Sequence, residues 1–108
     1  MYGGNTLVIL SVTSNRALEW ALHVISAKSP ENIWVVVDER TMKILARKNL
    51  TRTLGERIIV YSGKKPEEFS LRVLVFAKPD ELYVCDERGV LEPVIRLLRV
   101  LRISTYEC

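Results

Sequence analysis

Four short, nearly unbroken apolar runs constrain this chain most. They are Thr6-Leu7-Val8-Ile9-Leu10-Ser11-Val12, Ile33-Trp34-Val35-Val36-Val37, Arg57-Ile58-Ile59-Val60-Tyr61 and Leu82-Tyr83-Val84-Cys85. None shows the in-out alternation of a half-solvated strand. Runs of this length and character suit strands covered on both faces, as in a parallel sheet. Between them lie amphipathic segments. Asn15 to Lys28 carries Leu18, Ala21, Leu22 and Ile25 at helical spacing, with Ser14 or Asn15 as N-cap and Ser29-Pro30 as a stop. Arg40 to Leu54 places Met42, Leu45, Ala46, Leu50 and Leu54 on one face and ends at Gly55. Pro66 to Ala77 opens with Pro66, Glu67 and Glu68, which suit the first turn of a helix. Its second half, Leu71 to Phe76, also has the composition of a strand that would form a hairpin with the fourth run; the start signals and the Lys78-Pro79-Asp80 stop favour helix. Val90 to Ile103 reads as a last helix, with Pro93 in its first turn.

Strand then helix, four times over, predicts a three-layer α/β domain of Rossmann-like or flavodoxin-like type. Its four-stranded parallel sheet has right-handed crossovers. The 108 residues fit one such domain, residues 1–108, with no internal linker. A chain of this length buries roughly two-thirds of its unfolded surface, so it can fold without metal or disulfide staples. With 48% hydrophobic and 27% charged residues it reads as globular. No apolar run approaches the ~20 residues of a membrane span, and the start lacks a basic signal-peptide region. A cytoplasmic protein with no membrane partner is expected. Gln is absent, Asn occurs four times and Arg outnumbers Lys ten to six. That composition resembles a thermophile's, poor in thermolabile amides.

Pro30-Glu31-Asn32-Ile33-Trp34-Val35-Val36-Val37-Asp38-Glu39-Arg40 is echoed, one residue shorter, by Pro79-Asp80-Glu81-Leu82-Tyr83-Val84-Cys85-Asp86-Glu87-Arg88. Duplication of a half-domain and convergence on the same helix-strand-helix grammar both explain it. Either way the two runs read as equivalent strands.

In a parallel sheet, ligands bind beyond the carboxyl ends of the strands, where the strand order reverses. Those ends carry Thr13-Ser14-Asn15, Asp38-Glu39-Arg40, Ser62-Gly63-Lys64-Lys65 and Asp86-Glu87-Arg88-Gly89. Thr13, Ser14 and Asn15 are placed to face phosphate or ribose. Asp38 is placed to accept from a sugar hydroxyl, and Arg88 and the Gly89 amide to meet anionic oxygen. No catalytic residues are assigned. There is no GxxxxGK[ST] loop, no GxGxxG and no GxSxG. His23 falls inside the first helix, away from this edge, and reads as half-buried and structural. The acidic pairs are each followed by Arg and read as helix-dipole partners, so no metal site is assigned. Cys85 and Cys108 show no zinc or CxxC spacing and read as free thiols, because a last helix would carry Cys108 away from Cys85. Arg40, Lys43 and Arg47 share one face of the second helix. That stripe reads as a solvated face, and a nucleic-acid partner is not expected at a net charge of +3. From Val90 to Ile103, nine of fourteen residues are Val, Leu or Ile, more than one buried face requires. A homodimer through helix 90–103 follows, which an Arg at Leu98 would break.

The second half resembles the universal stress protein family. Gly63-Lys64-Lys65-Pro66-Glu67-Glu68 is similar to that family's Gly-x-Pro-x-Glu turn, Asp80-Glu81-Leu82-Tyr83-Val84 to its Asp-Leu-Ile-Val strand, and Asp86-Glu87-Arg88-Gly89 to its Gly-Ser-Arg-Gly loop. Arg16-Ala17-Leu18-Glu19-Trp20-Ala21-Leu22 is similar to its first helix. The family's Asp at the end of strand one is replaced by Thr13 and Ser14, and two further loop glycines fall on Glu92 and Arg102. The first half, through Ser29-Pro30-Glu31-Asn32-Ile33-Trp34-Val35-Val36, also resembles CARF domains, the Rossmann-like sensors of cyclic oligoadenylate in CRISPR defence. Both resemblances imply a dimeric, non-catalytic module whose ligand is ATP or another adenine nucleotide. An interaction domain with no small ligand is the alternative.

Overall fold

The computed structural model of the protein describes residues 4–108. Five strands, β1 (Asn5–Ser11), β2 (Ile33–Asp38), β3 (Ile58–Tyr61), β4 (Pro79–Asp86) and β5 (Ser104–Glu107), form one sheet in the order β3-β2-β1-β4-β5. Every pairing is parallel. β1 sits at the centre, with Leu7 opposite Trp34 on one side and Leu82 on the other. Alternate residues of the central strands bury on opposite faces. Val8, Leu10, Val35 and Val37 pack under α1 (Asn15–Ser26), α2 (Glu39–Arg47) and α3 (Leu50–Leu54). Leu7, Ile9, Val36, Leu82 and Val84 pack under α4 (Pro66–Ala77) and α5 (Glu92–Leu98). Both faces are dry, which is why these strands read as continuous apolar runs.

The echoed runs are β2 and β4, flanking β1 on either side. Their registers on β1 differ by one residue: Ile33 pairs with Thr6, and its counterpart Leu82 pairs with Leu7. Side chains alternate along a strand, so matching residues point to opposite faces. Trp34 joins the α4–α5 side and Tyr83 the α1 side.

The segment with two readings is helix: α4 buries Ser70, Val73 and Ala77 and forms no hairpin. Five expectations are corrected. The sheet has five strands, not four. The second helix is broken at Lys48–Asn49, where Asn49 takes a left-handed conformation at φ 60°, so Arg40–Leu54 is two helices. His23 is exposed rather than half-buried. The last helix ends at Leu98, well short of Ile103. A 3₁₀ turn follows over Arg99–Leu101, and Arg102 reverses the chain at φ 52°. β5 then returns parallel to β4, with Glu107 opposite Val84. That return brings Cys108 beside Cys85 at a Cα–Cα distance of 5.2 Å, and the two form a disulfide rather than free thiols.

The shortened helix also accounts for the apolar excess of 90–103. Leu91, Val94, Ile95 and Leu98 are buried within this chain, and Leu101 and Ile103 pack against the same cluster. Only Leu97 and Val100 are left exposed among these large apolar residues. Leu98, at 0% exposure, is a core residue and not an interface position. Among the described residues, no helix is long and apolar enough to cross a membrane.

Candidate functional site at the carboxyl rim

The strand order reverses between β1 and β4, so the turns after them face each other. The start of a helix favours an anion, and in the turn leading into α1 the protein supplies its own. Glu87 Oε1 accepts from the amides of Thr13 (2.7 Å) and Ser14 (2.9 Å) and from the Thr13 hydroxyl (3.3 Å). Its Oε2 accepts from Ser14 Oγ at 2.9 Å. The Glu87 amide meanwhile donates to Ser11 carbonyl oxygen at 2.8 Å, which fixes the turn against the end of β1. Ser14 Oγ is also the N-cap of α1, accepting from Ala17 N at 3.1 Å. The Thr13 and Ser14 amides, and the hydroxyls beside them, lower the Glu87 pKa from 4.5 to about 2.

A second carboxylate closes the rim at β2. Asp38 is 3% exposed. Its Oδ1 accepts from Thr41 N at 3.1 Å and so caps α2. Its Oδ2 accepts from Ser11 Oγ at 3.3 Å and from Arg88 Nη1 at 2.5 Å. Thr41 Oγ1 in turn accepts from the Val12 amide at 3.1 Å. Arg88 thereby reaches from the β4 turn across β1 to the end of β2. Asp86 Oδ1 accepts from Leu91 N, while its Oδ2 is buried with no hydrogen-bond partner; burial raises its pKa above the ordinary value.

The expected site residues therefore divide. Thr13 and Ser14 are at the switch point but are taken up by Glu87. Asn15 is exposed at the first position of α1. Asp38 and Arg88 are brought together, but with each other. Gly89 makes the turn after β4 at φ 73°, a conformation that favours glycine.

What remains open lies to the β2–β3 side. A cleft of about 730 Å³ runs along α2 and over the ends of β2, β3 and β4. Arg40, Lys43, Arg47 and Arg88 line it with Asp38 and Glu39; Ile44, Tyr61 and Val90 supply apolar wall. The basic stripe of α2, read from sequence as a solvated face, thus forms one side of a concave site. Among the described residues, only Arg88 of these four cations has a carboxylate partner. The turn at Ser62 and Gly63 also borders the cleft, and the helix it leads into, α4, has no side-chain N-cap. No set of three or more His, Cys, Asp or Glu side chains among the described residues is arranged to hold a metal ion.

Sequence reasoning missed Glu87. The signal was present: a second acid after β4, one strand away from a Thr-Ser pair that begins a helix. Glu87→Gln keeps the side chain's size and removes its charge. Because the folded pKa is depressed, the contribution of Glu87 is complete above about pH 4.5 and fades as pH falls toward about 2. The thermal midpoint of the wild type should therefore exceed that of Glu87→Gln near neutrality, with the gap closing across that acid window. A pH-independent gap would refute the charge-based account.

Compared with protein-family models, curated proteins and solved structures, the chain finds no match.

Proposed function

We propose that this chain is a non-catalytic binding module for a phosphorylated, nucleotide-sized ligand, seated in the cleft beside α2. The observation carrying this reading is the convergence of Arg40, Lys43, Arg47 and Arg88 on one concavity at the carboxyl rim of a parallel sheet. Three of these cations have no carboxylate partner among the described residues. Guanidinium groups bind phosphate oxygens in charge-assisted, often bidentate pairs. Arg88 and the Ser62–Gly63 turn would meet the same anion from the opposite wall. The switch point itself is a poor place for phosphate, because Glu87 already occupies those amides. Asp38 is buried and bonded through both oxygens, one of them to Arg88, which supports a role in holding that arginine. ATP or another adenine nucleotide, the ligand implied by the family resemblances, has the size and charge for this cleft. A thermophilic, cytoplasmic setting fits the composition, and intracellular disulfides such as Cys85–Cys108 persist in hyperthermophiles.

The test is thermal unfolding with ATP, with inorganic triphosphate and without ligand. A ligand that binds only the folded state stabilises it by about 2.7 kcal/mol at a hundred times its dissociation constant. The midpoint should rise with ATP in the wild type. In Arg40→Ala/Arg47→Ala it should stay put, with the unliganded midpoint little changed because both side chains are exposed. A wild-type midpoint indifferent to millimolar ATP and triphosphate would end the reading.

The alternative, an interaction domain, rests on a separate observation. Leu71, Val75 and Phe76 on α4 are 64%, 59% and 58% exposed, and Val100, after α5, is 74% exposed. These two helices cover the same face of the sheet and pack on each other. A homodimer would use this α4–α5 face, not the 90–103 helix alone, and is compatible with the ligand reading since the cleft lies at the rim beside α2.

A further inference from the structure

Cys85, at the end of β4, is 1% exposed and belongs to the apolar cluster under α1. Its partner Cys108 is exposed just past β5. The strand between the turn and this bridge has little else to hold it. All four residues of β5 are exposed. Beyond backbone pairing with β4, Tyr106 stacks on Tyr83 with ring centroids 4.8 Å apart. Arg99 and Glu107 form an ion pair at 3.2 Å, with both side chains more than half exposed. Such a pair contributes little.

We propose that the Cys85–Cys108 bridge is a thiol-exchange site with a fixed polarity, open to small external thiols and releasing β5 when it reacts. The attacking thiolate forms its bond to Cys108 Sγ. The Cys108–Cys85 bond breaks, its electron pair leaves on Cys85 Sγ, and that sulfur takes a proton from water. A second thiolate then attacks the external sulfur of the mixed disulfide and frees Cys108 as thiolate. Two thiols are oxidised to one disulfide, and the protein gains two thiols.

Access sets the polarity, because exchange needs approach along the bond to the attacked sulfur. Cys108 borders a hollow of about 510 Å³ shared with Ser14, Arg16, Trp20 and Glu87. The hollow carries one cation, Arg16, and one carboxylate, Glu87, which Thr13 and Ser14 already hold. Cys85 is enclosed by Val8, Leu10 and Val12 from its own side of the sheet. Once Cys108 is free, β5 keeps only an edge ladder and exposed side chains, whereas β1, β2 and β4 keep both covering layers. The strand therefore detaches without unfolding the rest.

The experiment treats the intact folded chain with excess reduced glutathione near pH 8.5, where a free thiol is about half ionised. Acid quenching and peptide mapping locate the adduct, and amide exchange follows the strands. At early quench times glutathione should be found on Cys108 with Cys85 as free thiol, and at completion both cysteines should be free thiols. Exchange should quicken at Tyr106 and Cys108, whose amides face β4, while 8–10 stay protected. An adduct on Cys85, a bridge that yields only in denaturant, or loss of protection in β1 together with β5 would each overturn the proposal.

Discussion

Leu98→Arg should unfold this protein rather than separate its subunits. Leu98 is wholly enclosed by the cluster of Leu82, Val84, Leu91, Val94 and Ile95 beneath α5. Truncating such a leucine to alanine costs about 2–5 kcal/mol through lost transfer energy and an unfilled cavity. Arginine adds a charge with no carboxylate waiting for it, and an unpaired buried charge is far costlier than a void. A loss above about 4 kcal/mol is expected, against a total stability of roughly 5–15 kcal/mol for a domain. Val100→Arg is the proper control, since that side chain is 74% exposed. It should unfold in urea within about 0.5 kcal/mol of the wild type. If the α4–α5 face joins two copies, it should also lower the sedimentation coefficient, as should Val75→Arg. A cooperative, wild-type urea transition for Leu98→Arg would show that the face beneath α5 is not packed as described.

Leu98 also shows where sequence reasoning reaches its limit. Its apolar neighbours mark a buried segment correctly, yet composition cannot separate one long helix buried twice from a short helix followed by a turn and a strand. The terminating signal was weak, because Arg102 adopts a left-handed conformation without being glycine. Ser104 to Glu107 has no apolar alternation, and all four residues are exposed, so nothing in its pattern announces β5. Missing that strand also hid the disulfide, since Cys108 reaches Cys85 only along it. The three inner strands, β2, β1 and β4, were legible for the opposite reason: both faces are covered, and Val8, Val35 and Val36 had to be apolar whichever way they pointed.

The polar rim was legible in the sequence; its internal hydrogen bonds were not. The rim gathers Ser14, Asp38 and Arg88, as parallel strands require. Of the six residues assigned to a ligand there, Thr13, Ser14, Asp38 and Arg88 are hydrogen-bonded within the protein. Asp38 and Glu87 both serve as dipole partners, but Glu87 serves the helix after β1 rather than the one after its own strand. Spacing along the chain cannot show that crossing; the β1–β4 register, with Ser11 opposite Asp86, creates it. The basic stripe of α2 was visible at helical spacing, whereas the concavity it lines comes from the turns at Gly63 and Arg88.

Asp38 is where fold and proposed function make opposing demands, and its replacement should separate them. Asp38→Ala removes the α2 cap, typically worth about 1 kcal/mol. It also strands Ser11 Oγ in the core and leaves Arg88 without its partner. Breaking a buried pair costs about 3–5 kcal/mol, and the part owed to Arg88 is smaller here because its side chain is 32% exposed and can turn to water. A net loss of about 2–4 kcal/mol is expected in urea unfolding. Arg88→Ala should also destabilise, and the double variant should lose less than the sum of the two, because each single change leaves one charge unpaired. Asp38→Asn is the functional counterpart. It keeps an oxygen to cap Thr41 but removes the negative charge that competes with phosphate for Arg88. Stability should fall while affinity for ATP rises, since Arg88 is released toward the cleft. A carboxylate that held a sugar hydroxyl would give the reverse, with weaker binding in Asp38→Asn and inorganic triphosphate unaffected. The sign of that change, read by calorimetric titration with both ligands, decides whether Asp38 serves the ligand or the arginine that meets it.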